Sequence, residues 1–280
     1  MERNFMNMIQ CQQGQGKFVC VGLDPNYSKF PECKKRKGVQ HDLLEFLKDI
    51  VDATCDIVGA YKPNIAFFEA HGIDGLLALE RTMRYIRSVA PEVPIILDAK
   101  RGDIGNTNNG YADSAFKFYE ADAITVNPYF GREALEPFFQ WKDKGIIVLC
   151  RTSNLGAEEL QEGLMETSFA PIPLYRLLAQ NIARKWNNYG NCLVVAGATN
   201  PEPLRIIRRE IGDMGILIPG LGTQGGDLEA TVMAGKNSRE EGIIPNSSSG
   251  IIHASKEADF AQVARRETIK LHEAIQNCLS

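Results

Sequence analysis

The chain has 280 residues, 44% of them hydrophobic and 24% charged, with a net charge of -4; this is the make-up of a globular protein that can bury a full core, and it excludes a disordered chain. A mildly acidic balance offers no long-range attraction to nucleic acid or anionic lipid, so any anionic ligand must be held by a local site. Seven cysteines without a C-x-x-C pair, no apolar run of membrane-spanning length and no signal-like stretch in Met1 to Lys17 lead to the expectation of reduced thiols, a cytoplasmic location and no membrane partner.

Short apolar, β-branched runs recur along the chain, each followed by a segment of helical periodicity. The first predicted strand, Phe18 to Leu23, ends at Asp24 and leads to Lys34-Lys35-Arg36-Lys37, which reads as a solvated loop because Pro and Gly flank it. The second, Asp56 to Tyr61, ends at Lys62, and Pro63 keeps that residue extended. Pro94 to Leu97, Ala123 to Val126 and Ile146 to Cys150 follow, ending at Asp98, Asn127 and Arg151. The connection from Thr152 to Pro173 is longer than a minimal turn and reads either as a lid or as a surface excursion with a short helix. Cys192 to Ala196, Gly215 to Ile218 and Gly242 to Ile244 complete eight strands.

Eight βα units without a linker or a shift in composition predict an α/β chain folded as a TIM (β/α)8 barrel, one domain over residues 1–280. In such a barrel the polar residues that follow the strands share one rim, where catalytic groups collect.

Asp98-Ala99-Lys100-Arg101-Gly102-Asp103 is the most informative segment. Asp98 and Lys100 are two apart, which in a regular strand puts both on one face. A single ion pair closing a strand end is the plain alternative. Several charges at a barrel mouth are costly unless paired, however, so Lys62, Asp98, Lys100 and Asp103 together read as an alternating network that holds one lysine ready to donate a proton. The four histidines, at 41, 71, 253 and 272, are scattered, and no metal site is expected.

At these residues the chain resembles the orotidine 5'-monophosphate decarboxylase family, from Leu23-Asp24-Pro25 to the turn Asn246 to Gly250, most specifically through Asp98-x-Lys100-x-x-Asp103-Ile104-x-x-Thr107. The resemblance implies decarboxylation of orotidine 5'-monophosphate to UMP without a cofactor, in a homodimer with shared active sites. It implies that Asp24 binds a ribose hydroxyl and that Lys62 contacts the ribose and completes the charge network. Asp98 would lie against the substrate carboxylate, and Lys100 would protonate the ring carbon. Asp103, Ile104 and Thr107 would reach in from the other subunit, and Ser153 would hydrogen-bond the pyrimidine. The loop from Pro219 to Asp227 resembles the family's phosphate loop, with Gln224 closing over the phosphate.

That loop also matches G-x-G-x-x-G, but Glu240 and Glu241 precede the next strand, whereas a dinucleotide site needs an acid at its end. One departure stands out: Ser249 occupies the place where the family carries a phosphate-binding arginine, and Lys236, Arg239 and Lys256 are the bases available to compensate. Relatives with the same Asp-x-Lys-x-x-Asp pattern that work through a magnesium-bound enediolate have a glutamate near the end of the second strand, where this chain has Lys62. A non-catalytic phosphate-binding barrel and a pair of fused interaction modules are the readings from other classes. No resemblance to a phosphoribosyltransferase accompanies the barrel, which points to the single-function form.

Overall fold

A computed structural model describes residues 3–198, 200–221 and 227–279. All eight predicted strands are present: β1 Cys20–Leu23, β2 Ala60–Pro63, β3 Ile96–Arg101, β4 Ala123–Val126, β5 Gly145–Arg151, β6 Cys192–Ala196, β7 Ile216–Pro219 and β8 Ile243–Ser247. They form one parallel sheet in the order β2-β1-β8-β7-β6-β5-β4-β3. The ends meet through parallel bridges Tyr61↔Ile95 and Asn64↔Asp98, so the sheet curls into a barrel with helices around it.

Alternation along each strand divides the core in two. Inward-facing Cys20, Ala60, Ile96, Ala123, Ile147, Leu193, Val195, Leu217 and Ile244 fill the barrel. The larger outer cluster, including Val21, Leu43, Phe46, Leu79, Ile124, Val148 and Ile207, lies between strands and helices. Burial of this apolar surface is the main drive for closure, at about 25 cal/mol per Å².

The floor of the barrel comes from a helix, Phe5–Gly14, that the strand pattern does not anticipate. Asn4 caps it by accepting from Asn7 N–H at 3.1 Å. Phe5 is fully buried against the inner cluster. Gly145 makes room for it, since a Cβ there would stand 2.3 Å from the Phe5 ring.

Three boundaries shift by three residues or more from the sequence pattern. The predicted start of the second strand, Asp56, belongs instead to the close of helix Val39–Thr54: Ile57 and Val58 N–H both donate to Thr54 O, at 3.0 and 3.2 Å. β3 runs on to Arg101 and carries Asp98 and Lys100 inside the strand. β8 passes through Pro245 to Ser247, although proline removes one ladder donor. The excursion after β5 consists of a short helix, Ala157–Gln161, and a small antiparallel pair, Leu164–Met165 with Ile172–Pro173. Gln161 Oε1 accepts from Thr152 N–H at 2.8 Å and Glu162 pairs with Arg151 at 2.8 Å, tying the excursion to the end of β5.

Candidate active site

The parallel strands all end at one rim, and four charged side chains meet there. Lys62, the third residue of β2, is 3% exposed and donates to Asp98 Oδ2 at 2.9 Å. Its Nζ is also 4.0 Å from Asp24 Oδ1, just past β1. Lys100 Nζ donates to the other Asp98 oxygen, Oδ1, at 2.6 Å, while half of its side chain stays exposed. The result is an alternating row, Asp24–Lys62–Asp98–Lys100, that runs from the barrel wall to the open mouth.

Burial opposes the charge on both central members. For Lys62 that cost is outweighed by Asp98 and then Asp24, which lift the pKa above the ordinary lysine value. For Asp98 it is outweighed by Lys62 and then Lys100, which hold the carboxyl well below the ordinary carboxylate range. Each ion is kept charged by its neighbours, as a buried pair requires. The Asp24 Oδ1 atom is buried, with the Lys62 ammonium 4.0 Å away and no hydrogen-bond partner among the described residues.

Simple strand alternation does not aim Lys100. β3 pairs with β4 at Leu97↔Ile124 and next at Arg101↔Val126, so Asp98, Ala99 and Lys100 face Thr125 alone. Lys100 sits in this bulge with φ of 47°, a left-handed backbone uncommon outside glycine.

Asp103 does not join the row within one chain. Its carboxylate accepts from Ile104 N–H at 2.7 Å, and its backbone is clasped by the buried Asn108, which donates to Asp103 O at 2.7 Å and accepts from Asp103 N–H at 3.0 Å. Asp24 adds a second carboxylate to the row on this chain. Ile104, 60% exposed, and Thr107, also exposed, project from the same segment.

The rest of the rim is more open. Ser153 is half-buried in the turn after β5, and Gly197 lets it fit, because a Cβ there would lie 2.7 Å from Ser153 Cβ. Pro219 ends β7 and is half-buried, and Gln224 lies outside the described residues. Ser249 opens a four-residue helix directly after β8 and is exposed. Gly22 allows that chain to pass, since a Cβ would stand 1.7 Å from Ser248 Oγ.

His253, read from the sequence as structural or solvated, braces the rim. Its Nε2 accepts from Asn26 N–H at 3.1 Å, and its ring stacks on Phe46 with centroids 5.6 Å apart. Burial lowers its pKa from 6.5 to about 4, which keeps it neutral at pH 7. Cys20, below Lys62 inside the barrel, is pushed up to about 12 by burial and is a thiol rather than a nucleophile.

Residues 17–264 match the model of the "Orotidine 5'-phosphate decarboxylase / HUMPS family". The chain belongs to this family. It is 47% identical over 257 residues to the orotidine 5'-phosphate decarboxylase of Cellvibrio japonicus (strain Ueda107), covering 92% of each chain. Its fold matches that of the Leishmania donovani OMP decarboxylase with a TM-score of 0.83 at 34% identity, over 99% of this chain and 98% of that one. The L. donovani UMP synthase matches with a TM-score of 0.85 at 35% identity, and there this chain spans 57% of the longer protein.

Within the decarboxylase family frame, two of the bases considered as substitutes for the missing arginine are excluded by position. Lys236 and Arg239 precede β8, and Arg239 lines a small cavity with Met6, Ile9 and Gln10 of the floor helix. They therefore stand at the end of the barrel opposite Ser249. Lys256 lies on the near side, exposed along a groove with Ser28 and Phe30. The described residues hold no cluster of three or more His, Cys, Asp or Glu placed to bind a metal, and no helix among them is long and apolar enough to cross a membrane.

Proposed function

We propose that the whole chain acts as a single barrel domain that decarboxylates orotidine 5'-monophosphate to UMP in pyrimidine biosynthesis, without metal or cofactor. The observation that carries this reading is Asp98, held ionised between Lys62 and Lys100 at the barrel mouth. A binding site for a neutral ring has no need of a fixed negative charge beside a half-exposed ammonium.

In the proposed reaction the substrate carboxylate lies against Asp98, and the bond from the ring carbon to that carboxylate breaks. Carbon dioxide departs, and the electron pair stays on the ring carbon, where no adjacent group can delocalise it. The Lys100 ammonium stabilises this charge and then transfers a proton to the carbon; the neutral amine recovers its proton from solvent. Lys62 stays charged and keeps Asp98 from taking the proton itself. Such fixed charges need no reorganisation during the reaction, which is where electrostatic catalysis gains most.

The remaining roles follow the family pattern. Asp24 and Lys62 hold ribose hydroxyls, Ser153 the pyrimidine, and Pro219, Gln224 and Ser249 surround the phosphate. Asp103, Ile104 and Thr107 enter the neighbouring site of a homodimer, and the exposure of Ile104 and Thr107 on the single chain supports this. The free thiols support a cytoplasmic enzyme.

Ultraviolet absorbance of orotidine 5'-monophosphate, followed with the protein in EDTA beside Lys100→Ala, tests the reading. Rapid loss that requires Lys100 is expected. No loss at high substrate while UMP still binds would leave a phosphate-binding barrel in its place.

A further inference from the structure

We propose that Thr125 is the positioning residue that aims Lys100 at the reacting carbon. Thr125 is 1% exposed and stands alone on β4 opposite the three bulged residues of β3. Its hydroxyl accepts from Ala99 N–H at 3.0 Å and from Lys100 N–H at 2.9 Å, and donates to Asp98 Oδ1 at 2.9 Å. One donor and two acceptor sites are all that a hydroxyl has, so its capacity is used completely.

Each bond has a distinct effect. A three-against-one bulge leaves backbone N–H groups without ladder partners, and two part-buried ones, of Ala99 and Lys100, are satisfied by Thr125. Those same bonds hold Lys100 at φ 47°, a conformation that a lysine keeps only when its surroundings over-determine it. The donated proton goes to the Asp98 oxygen that also receives the Lys100 ammonium, so a single hydroxyl sets the backbone of one reacting residue and the carboxylate of the other. In a regular strand, Lys100 would be displaced along β3 relative to Asp98. Thr125 is shielded from solvent and acts through Asp98 and Lys100, so its contribution is to hold them in place.

The kinetic arm of the test rests on the decarboxylase reading; the structural arm does not. Thr125→Val keeps the shape and removes all three hydrogen bonds. It should lower kcat for orotidine 5'-monophosphate by about 10²-fold, the scale of a misplacement near 1 Å. UMP affinity should stay within about threefold, because Thr125 lies outside the binding surface. Thr125→Ser should restore kcat, and amide exchange at Lys100 should be fast in the Val protein and slow in the Ser protein. Retention of wild-type kcat by Val, or an equal loss in Ser, overturns the proposal.

If Thr125→Val fails to fold, Thr125→Cys replaces the hydroxyl by a weak donor and weak acceptor; undiminished kcat there overturns the proposal equally. If the wild-type chain leaves orotidine 5'-monophosphate intact, the decarboxylase reading fails by itself. The exchange measurement then still decides, because a protected Lys100 amide in the Val protein shows that the hydroxyl does not hold the bulge.

Discussion

Lys62 Nζ lies 2.9 Å from Asp98 Oδ2 with both side chains at least nine-tenths buried, so neither charge can fall back on water. Such a pair is poor evidence of net stability, yet removing one partner strands the other.

Lys62→Ala should destabilise the fold by about 1.5–3 kcal/mol, because Asp98 loses its buried cation while keeping the half-exposed Lys100 ammonium and the Thr125 hydroxyl. The double variant Lys62→Met with Asp98→Leu should be less unstable than either single change. Urea denaturation of the wild type, the single variants Lys62→Met and Asp98→Leu and the double variant measures this, and purely additive losses would contradict it.

Stability should also fall on acidification between pH 6.5 and 4, through His253. Burial lowers its pKa to about 4 in the folded chain, against 6.5 unfolded. In that window the unfolded state binds a proton that the folded state refuses, so the contribution is complete above pH 6.5 and is lost as pH falls through 4. Because the ring is partly exposed, the expected loss is about 1–2 kcal/mol. His253→Gln keeps an acceptor for Asn26 without titrating, and its denaturation midpoint should change less between pH 6.5 and 4.

Ser249→Arg should tighten UMP binding by about 10- to 100-fold, the value of a charge-assisted phosphate contact over a neutral hydroxyl. Lys236 and Arg239 are on the far side of the barrel and cannot have supplied that charge. Isothermal titration of both proteins decides the point; equal affinities would place the phosphate away from residue 249.

If Asp103 serves the neighbouring site, mixing Lys100→Ala with Asp103→Ala chains should recover about a quarter of wild-type activity after random exchange, since half the dimers are mixed and each has one intact site. Exchange is monitored with a tagged chain. No recovery despite exchange would confine each site to one subunit.

Much of this protein was legible in one dimension. Eight apolar runs with helical stretches between them specify a parallel α/β fold, because the twofold period of a strand and the 3.6-fold period of a helix are written in neighbouring residues. The spacing of Asp98, Lys100 and Asp103, with Lys62 at an earlier strand end, likewise marked the rim where chemistry collects.

Tertiary structure decided the rest, because those contacts join residues far apart in the chain. Asp24 joins the charged row because β1 and β2 pair side by side and bring it within 4.0 Å of Lys62. Phe5 becomes the barrel floor only once eight strands have closed around it. His253 meets Asn26 across 227 residues. Thr125 reads as an ordinary β-branched strand residue, and its three hydrogen bonds exist because β3 slips against β4. Local pattern encodes which elements form; the register between them, which no single element contains, sets where Lys100 points.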